Sequence, residues 1–375
     1  MEAQATKKSL PIEIWEAILD EIHWLPGFAG SPIPTRDFHH QQRTLSACTR
    51  VCRAWSTHAC FLLWHDVLLD TAPSVASFIA TVRNAPERWT PLVSSLFLHS
   101  DLGTRAESLF MQPFPNLTLL SANAVNWSVH PQLFRMRLPF FASIRELQLE
   151  KCNFPTLRTL LDFVWSTPNL ARLVLQSSRV SRENVHETAA ANLERACQHV
   201  RGCSKLTSLF LYGYPFVLEP FTVPGTVFGS AVTALDITYM HFIDAQSLPR
   251  FLRGSFPALR ELYVAIDDFT TGRSASSPKP SFLHALATSL TTPAALVSLT
   301  LVVIYKEVVQ HNCCSALVGK AELADGISSS LRSLLPNLTA LRIRNGAGRS
   351  CKAYITEALP SMAHVLVVTG AGGER

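Results

Sequence analysis

Apolar residues recur through most of the chain in one short pattern. The clearest copy is the stretch 144–154, in which Leu147 and Leu149 alternate with polar residues and Cys152 and Phe154 follow shortly afterwards. Alternation predicts a short β-strand with one buried face, and the later apolar residues predict a turn back towards the same core. One copy is too small to bury that face. The pattern therefore indicates similar units stacked side by side, each covering its neighbour.

Ten copies of this pattern can be placed on the chain, and six of the nine spacings between them are 24 to 27 residues. The three longer spacings leave room for a longer helix or a loop. The central apolar residues of the copies are Leu96, Leu120, Leu147, Leu173, Leu209, Leu235, Leu262, Leu299, Leu341 and Val365.

Several copies are preceded by the phrase Phe-Pro-Asn-Leu or a close variant, at Phe114, Pro168, Phe256 and Pro336. Proline there ends the preceding helix just before the strand begins. With this phrase and a period of about 20 to 29 residues, the chain resembles the leucine-rich repeat family. The resemblance implies a solenoid with a parallel sheet on its concave face and helices outside.

The residues at the family's asparagine position depart from its pattern, so we expect an irregular arc without a continuous asparagine ladder. They are Cys152, Ser178, Tyr214, Met240, Asp267, Ile304, Gly346 and Gly370. Outer helices are predicted near 156–166, 181–202, 283–290 and 321–335, and a loop is predicted at 270–281.

The first part of the chain has a helical pattern instead. Ile14, Ile18 and Ile22 recur every four residues, which predicts an amphipathic helix over 10–22. The polar stretch 26–43 is predicted to be a mobile loop, dispensable for folding, because its apolar content is too low to offset the entropy of ordering. Three further helices are predicted: the first begins near Thr44, the second covers 57–64 and the third covers 71–84.

These helices carry a second resemblance. The motif Leu10-Pro11-x-Glu13-Ile14, followed at helical spacing by Val51-Cys52-Arg53-x-Trp55, resembles an F-box in the form common in fungi. The resemblance implies a small helical module that docks on the Skp adaptor of a Skp-cullin-F-box ubiquitin ligase. The loop 23–43 would be an insertion that departs from the family. The residues expected to contact the adaptor are Leu10, Pro11, Ile14, Ile18, Leu45, Val51, Cys52 and Trp55.

A three-helix unit of this size is too small to bury all of these apolar side chains itself, which leaves apolar surface for a partner. The alternative is that the same residues only cap the first repeat, since a solenoid needs a cap at each end. The two roles are compatible.

Composition and charge argue against several other functions. The net charge is +5, from 33 basic and 28 acidic residues, without the concentrated basic stripe typical of nucleic-acid binding. No apolar run reaches the roughly 18 residues of a membrane span, and the N-terminus does not resemble a signal peptide. We therefore expect no nucleic acid or membrane partner, a cytoplasmic or nuclear location, and nine reduced cysteines.

Motifs for catalysis, cofactors and metals are weak. The tail 365–373 imitates a strand and a dinucleotide-binding glycine loop, but lacks a following helix to hold a pyrophosphate. Cys48 and Cys52 lack a second pair, and His39 and His40 lack companions at metal-ligand spacing. We expect no catalytic residue, no cofactor and no metal, and therefore a protein that is not an enzyme.

The alternate positions of the repeat strands predict a binding face, because they point away from the core. Phe210, Tyr212 and Tyr263 lie in the middle of the array, and central aromatic residues commonly dominate the free energy of binding. The alternative is that these rings only cover neighbouring strands. The predicted target-binding residues are Phe97, His99, Glu146, Gln148, Arg172, Phe210, Tyr212, Asp236, Tyr263, Arg342 and Arg344.

The sequence thus predicts an α/β protein with a flexible tail at 1–9, an F-box at 10–69, a linking helix within 70–90, about ten leucine-rich repeats at 91–369 and a second tail at 370–375. The resemblances imply a substrate receptor that recruits a Skp adaptor, and through it a cullin, while holding an unknown target protein. The rival hypothesis is a repeat-built binding scaffold that does not engage a ubiquitin ligase. In neither case do we expect a homo-oligomer.

Overall fold

The computed structural model describes residues 11–23, 35–99, 109, 112–129, 142–180, 203–213, 231–241, 252, 256–267, 286, 288, 290, 295–304, 332–345 and 366–370. Within these described residues, eleven strands form a long parallel sheet in chain order, accompanied by helices, which confirms the α/β class. The chain divides into two compact units, Met1–Ile144 and Arg145–Arg375. None of the described helices is long and apolar enough to cross a membrane.

The first unit begins with three helices. Its elements are α1 (Ile12–His23), α2 (Thr35–Cys48), α3 (Arg53–His65), β1 (Asp66–Leu69), α4 (Ala72–Asn84), α5 (Pro86–Trp89), β2 (Ser95–His99) and β3 (Leu119–Asn123). Single 3-10 turns follow α5 and β3, at Thr90–Leu92 and Trp127–Val129.

The predicted linking helix is present as α4. It begins at Thr71, whose hydroxyl accepts a hydrogen bond from the Ser74 amide at 3.2 Å, while the Thr71 amide donates to the Ser74 hydroxyl at 3.1 Å. This reciprocal pair satisfies two amides that a helix start would otherwise leave unpaired. The apolar residues that predicted the helix, including Val75, Phe78 and Val82, are buried.

The second helix begins earlier than predicted. It starts at Thr35 and not near Thr44, so residues 35–43 belong to α2 and not to a loop. Phe38 is only 3% exposed and clusters with Phe97 and Leu119. One large ring with a tertiary partner orders a segment that its low apolar content had marked as a loop. Residues 24–34 of the predicted loop lie outside the described residues.

A further strand, β1, was not predicted. It directly follows α3 and pairs with β2 in parallel, with Val67 opposite Leu96. The segment predicted as an F-box, 10–69, therefore ends in the first strand of the sheet.

The second unit holds most of the sheet. Its elements are β4 (Glu146–Glu150), β5 (Asn153–Phe154), α6 (Leu157–Trp165), β6 (Arg172–Gln176), β7 (Arg179–Val180), β8 (Ser208–Tyr212), β9 (Ala234–His241), β10 (Glu261–Asp267), β11 (Ser298–Ile304), β12 (Ala340–Asn345) and β13 (Leu366–Gly370). β5 and β7 form a separate two-stranded parallel sheet. Helix α6 confirms the helix predicted at 156–166, whereas the helix predicted at 181–202 lies outside the described residues, as do the loop at 270–281 and most of 283–290 and 321–335.

The predicted central residues stand opposite one another from strand to strand. Leu96 pairs with Leu120 in the first unit. In the second unit the register runs through Leu147, Leu173, Leu209, Leu235, Leu262, Leu299 and Leu341. The last prediction was wrong by one residue, since Leu366, and not Val365, pairs with Leu341. Every one of these leucines from Leu96 to Leu341 is at most 2% exposed.

Turns before and after the strands also repeat. The introducing phrase closes a turn in which a leucine amide donates to the carbonyl three residues earlier, as from Leu117 to Phe114 at 3.2 Å and from Leu259 to Phe256 at 3.3 Å. One residue after β3, β4, β6 and β8, the backbone turns to a positive φ: 56° at Ala124, 50° at Lys151, 49° at Ser177 and 70° at Gly213. The same backbone conformation thus recurs directly after the strand in each of these four repeats.

A serine takes over part of the role of the missing asparagine ladder. The Ser178 hydroxyl accepts a hydrogen bond from the Cys152 amide at 3.2 Å and donates to the Leu149 carbonyl at 2.9 Å. Both groups are buried, so without this bridge they would lack water as a substitute partner. Serine at this position therefore ties two successive turns together.

Candidate functional site

The three-helix region has a core of its own. Leu19, Leu45, Cys48, Ala59 and Leu62 form a buried cluster, against which Ile22, Trp55 and Leu63 pack. The rings of Trp15 and Trp55 lie 4.8 Å apart between α1 and α3. This core accounts for only part of the apolar surface of the helices.

Several large apolar side chains of the same helices remain exposed. Ile14 is 48% exposed, Ile18 40% and Val51 61%. Ile12 and Phe61 are exposed as well, at 41% and 43%. Exposed apolar residues gathered on one small module are typical of a surface that binds another protein.

The predicted adaptor-contacting residues therefore fall into groups. Pro11, Ile14, Ile18, Val51 and Cys52 are exposed, and Trp55 is half-buried. Leu45 is 1% exposed and belongs to the core, so the expectation that it contacts a partner is corrected. Leu45 lies on the side of α2 that faces the core. The periodicity of apolar residues predicts an apolar stripe along a helix, but it does not show which residues of the stripe face the core and which remain exposed. Leu10 lies outside the described residues.

A second candidate surface lies on one face of the sheet in the second unit. Phe210 and Tyr263 both stand opposite Asp236 in register, and the Phe210 and Tyr212 rings are 6.1 Å apart. These four half-buried side chains form the group named here the β8–β10 patch.

Charges border the patch. The Arg172 guanidinium lies over the Phe210 ring, 4.6 Å from its centroid, and Arg172 Nε is 3.6 Å from the Glu146 carboxylate. The Gln148 amide donates to the same carboxylate at 2.7 Å. Arg172 is thus held in place by an acid on one side and a ring on the other.

Asp236 is the charged centre of the patch. The Tyr212 hydroxyl donates to its Oδ2 at 3.2 Å and the Thr238 hydroxyl donates to its Oδ1 at 2.6 Å. Burial raises the pKa of Asp236 despite these two hydrogen bonds. Burial and the nearby Asp236 carboxylate also raise the pKa of Tyr212. A half-buried carboxylate whose ionisation is opposed by burial would favour a cationic group on a ligand.

Other predicted target-binding residues do not join this patch. Phe97 is 6% exposed and packs against Phe38, so the expectation that it faces a partner is corrected: α2, which was predicted to be a loop there, covers it. His99 lies on β2 in the first unit and is half-buried. Arg342 is exposed on β12, and the side chain of Arg344 lies outside the described residues.

Sequence reasoning missed Thr238, which orients the Asp236 carboxylate. Asp236 and Thr238 are two positions apart on β9, so their side chains point to the same face of the strand. This spacing could have indicated from the sequence that the hydroxyl reaches the carboxylate.

No family model matches the chain, and no curated protein matches it.

Proposed function

We propose that the protein is a substrate receptor of a Skp-cullin-F-box ubiquitin ligase, in which the helices α1 to α3 dock on the Skp adaptor and the sheet face holds a target protein. The observation that carries the proposal is the exposure of Ile14, Ile18 and Val51 on a helical unit whose own core is already formed. Ile14 and Val51 belong to the motif that resembles an F-box, and Ile18 is among the residues that the resemblance expects to contact the adaptor. Such a receptor performs no bond chemistry; it raises the effective concentration of the target's lysines near the enzyme that carries the ubiquitin.

Adaptor binding is tested with two exposed residues, because their replacement leaves the core intact. The variant Ile14→Asp with Val51→Asp places charges where an apolar partner would sit, and we expect co-purification with a Skp-family adaptor to be lost. Trp55 is a poor choice for this experiment, since it packs on the core and against Trp15. The matched control is Val129→Asp, which alters a residue that is 55% exposed and that belongs to the turn Trp127–Val129 and not to the three helices.

We expect the wild-type protein, the double variant and the control to have the same melting temperature. We also expect the control to bind the adaptor as the wild-type protein does. A folded wild-type protein that does not bind the adaptor would instead favour the rival function, a binding scaffold independent of a ubiquitin ligase. Retained binding in the double variant would also contradict the proposal.

For the target, we propose the β8–β10 patch, since interfaces draw most of their free energy from a few half-buried aromatic residues with polar groups around them. The Ile14→Asp and Val51→Asp variant traps targets that would otherwise be degraded, and quantitative mass spectrometry then compares capture with and without Tyr212→Ala and Tyr263→Ala. Arg260→Ala, at an exposed position just before β10 and outside the predicted target-binding residues, serves as the control. Capture that is unaffected by the tyrosine changes would rule the patch out.

A further inference from the structure

Two histidines and an aspartate meet where two helices end and the sheet begins. His23 is the last residue of α1, His65 the last of α3, and Asp66 the first of β1. His23 Nε2 lies 3.0 Å from Asp66 Oδ2, and His65 Nδ1 lies 2.9 Å from Asp66 Oδ1. The three donor atoms lie within 4.8 Å of one another.

The local field at this cluster favours a cation. The last turn of a helix carries partial negative charge from its unpaired carbonyl groups, and both histidines stand at such ends. Burial alone would raise the pKa of Asp66, but hydrogen bonds from His23, His65 and Ser95 hold it well below its usual value. An ionised carboxylate and two helix ends therefore act on the same small volume.

The surrounding residues hold the cluster in position. The Gln42 side chain donates to the Asp66 carbonyl at 3.1 Å, and the Gln41 side chain donates to the His23 carbonyl. The His23 Nε2 atom is buried and the Asp66 side chain is only 15% exposed, whereas the His65 side chain is 36% exposed, so solvent reaches the cluster from the side of His65. The two histidine rings stand edge to face with centroids 5.6 Å apart.

We propose that His23, His65 and Asp66 form a Zn²⁺ site that joins the ends of α1 and α3 to the first strand. Zinc binds histidine nitrogen and carboxylate oxygen at about 2.0 to 2.2 Å and accepts three protein ligands with a water molecule as the fourth. Small side-chain rotations bring donors at the observed separations to that distance. Two imidazole donors select against Ca²⁺ and Mg²⁺, which prefer oxygen ligands.

Binding replaces the close contacts that His23 and His65 make with the Asp66 carboxylate by bonds to the metal. Each of the two ligating nitrogens, His23 Nε2 and His65 Nδ1, must give up any proton that it carries, either to solvent or by a move to the other nitrogen of the same ring, and its lone pair then binds the ion. No electron transfer is involved. None of its three residues belongs to the exposed apolar group, although the ring of Phe61, a member of that group, lies 5.8 Å from the ring of His65.

The direct test titrates Zn²⁺ alone into the full-length, metal-free protein and follows binding by calorimetry. We expect one Zn²⁺ per chain, and His23→Asn or His65→Asn should each weaken binding by at least about tenfold, since a loss of about that size is typical even when only a group that supports a metal ligand is removed. His58→Asn is the matched control: His58 Nε2 lies 2.8 Å from Asp20 Oδ1, but this pair belongs to no three-residue cluster among the described residues. Circular dichroism of the metal-free variants checks that each is folded.

A measurement on the wild-type protein guards against variants that fail to fold. Diethyl pyrocarbonate modifies accessible histidines, and peptide mass spectrometry reports each site. Zn²⁺ should protect His23 and His65 while leaving His58 and His39 reactive. Absence of stoichiometric binding, equal protection of all four histidines, or binding unaltered in a folded His23→Asn and His65→Asn double variant would each overturn the proposal.

Discussion

Truncation of Phe38 tests whether the segment 35–43 contributes to the core. The side chain is 3% exposed, and its ring centroid lies 5.6 Å from that of Phe97 in a cluster with Leu119. Removing a buried phenylalanine ring costs about 3 to 5 kcal/mol, because the transfer free energy is lost and a cavity remains. A domain is typically stable by about 5 to 15 kcal/mol, so Phe38→Ala should remove a large fraction of that stability.

Urea unfolding monitored by tryptophan fluorescence measures the loss of stability of the first unit, which contains Phe38. Six of the seven tryptophans precede residue 145, so the signal reports mainly on the first unit. His40→Ala is the matched control, because His40 lies on the same helix and is exposed. A cost for Phe38→Ala below about 1 kcal/mol, within the range of a surface substitution, would refute the reasoning. The same argument predicts that replacing 26–43 by a Gly-Ser link lowers stability, contrary to the expectation from composition.

Three further predictions concern the second unit. Gly213→Ala should destabilise by about 1 to 3 kcal/mol, since the residue has φ 70° and its Cβ would lie 2.5 Å from Ser177 Oγ; urea unfolding should show a smaller cost in a Ser177→Gly background. Ser178→Ala should cost about 1 to 3 kcal/mol by the same measurement, because it leaves the buried Cys152 amide and Leu149 carbonyl without their bridge. Asp236→Asn should raise the melting temperature at pH 7. The raised pKa of Asp236 means that the folded state resists ionisation, so wild-type stability falls as pH rises above the ordinary aspartate value of 3.8, and the difference between the two proteins should vanish below that pH.

Each of these has an outcome that contradicts it. An equal Gly213→Ala cost with and without Ser177 would mean that the close contact is not the cause. A Ser178→Ala cost near zero would show that water or another group replaces the hydroxyl. An Asp236→Asn protein that is less stable than wild type at pH 7 would show that the carboxylate's hydrogen bonds outweigh its desolvation, and Glu261→Gln, at an exposed position of β10, controls for loss of a surface charge.

The strand register was predictable because alternation leaves little freedom. Leu147 and Leu149 each have polar neighbours, and slipping such a strand by one residue would expose its apolar set. The last strand shows the limit of this argument. Val365, Leu366, Val367 and Val368 are all apolar, so alternation does not distinguish one register from the next, and the prediction missed by one position.

The errors in the first unit have a different cause. Segment 35–43 is polar apart from Phe38, and β1 is only four residues long. Local pattern carries little information for either, since each is ordered by partners distant in sequence: Phe97 for the helix and β2 for the strand. The wrong prediction for Phe97 has the same cause, because the contact with Phe38 that buries Phe97 was not predicted.

The candidate sites were predictable to unequal degrees. Phe210, Tyr212, Asp236 and Tyr263 come together because register makes neighbours of residues one repeat apart, and the repeat could be measured from the sequence. The cluster of His23, His65 and Asp66 had no such guide. Its members meet only because α1 and α3 end at the same place, and no spacing rule in the sequence encodes that meeting.

The pairing of β1 with β2 has a consequence for how the chain can be divided. Cutting after residue 69 to remove the helices would also remove a strand, and β2 would then present its unpaired amides and carbonyls as an open edge prone to aggregation. Cutting before Asp66 would keep the strand but strip its carboxylate of His23 and His65, leaving a poorly compensated charge beside the sheet. The helices and the sheet therefore cannot be separated by truncation without damage to one of them. Their functions are best studied by point substitutions in the intact chain.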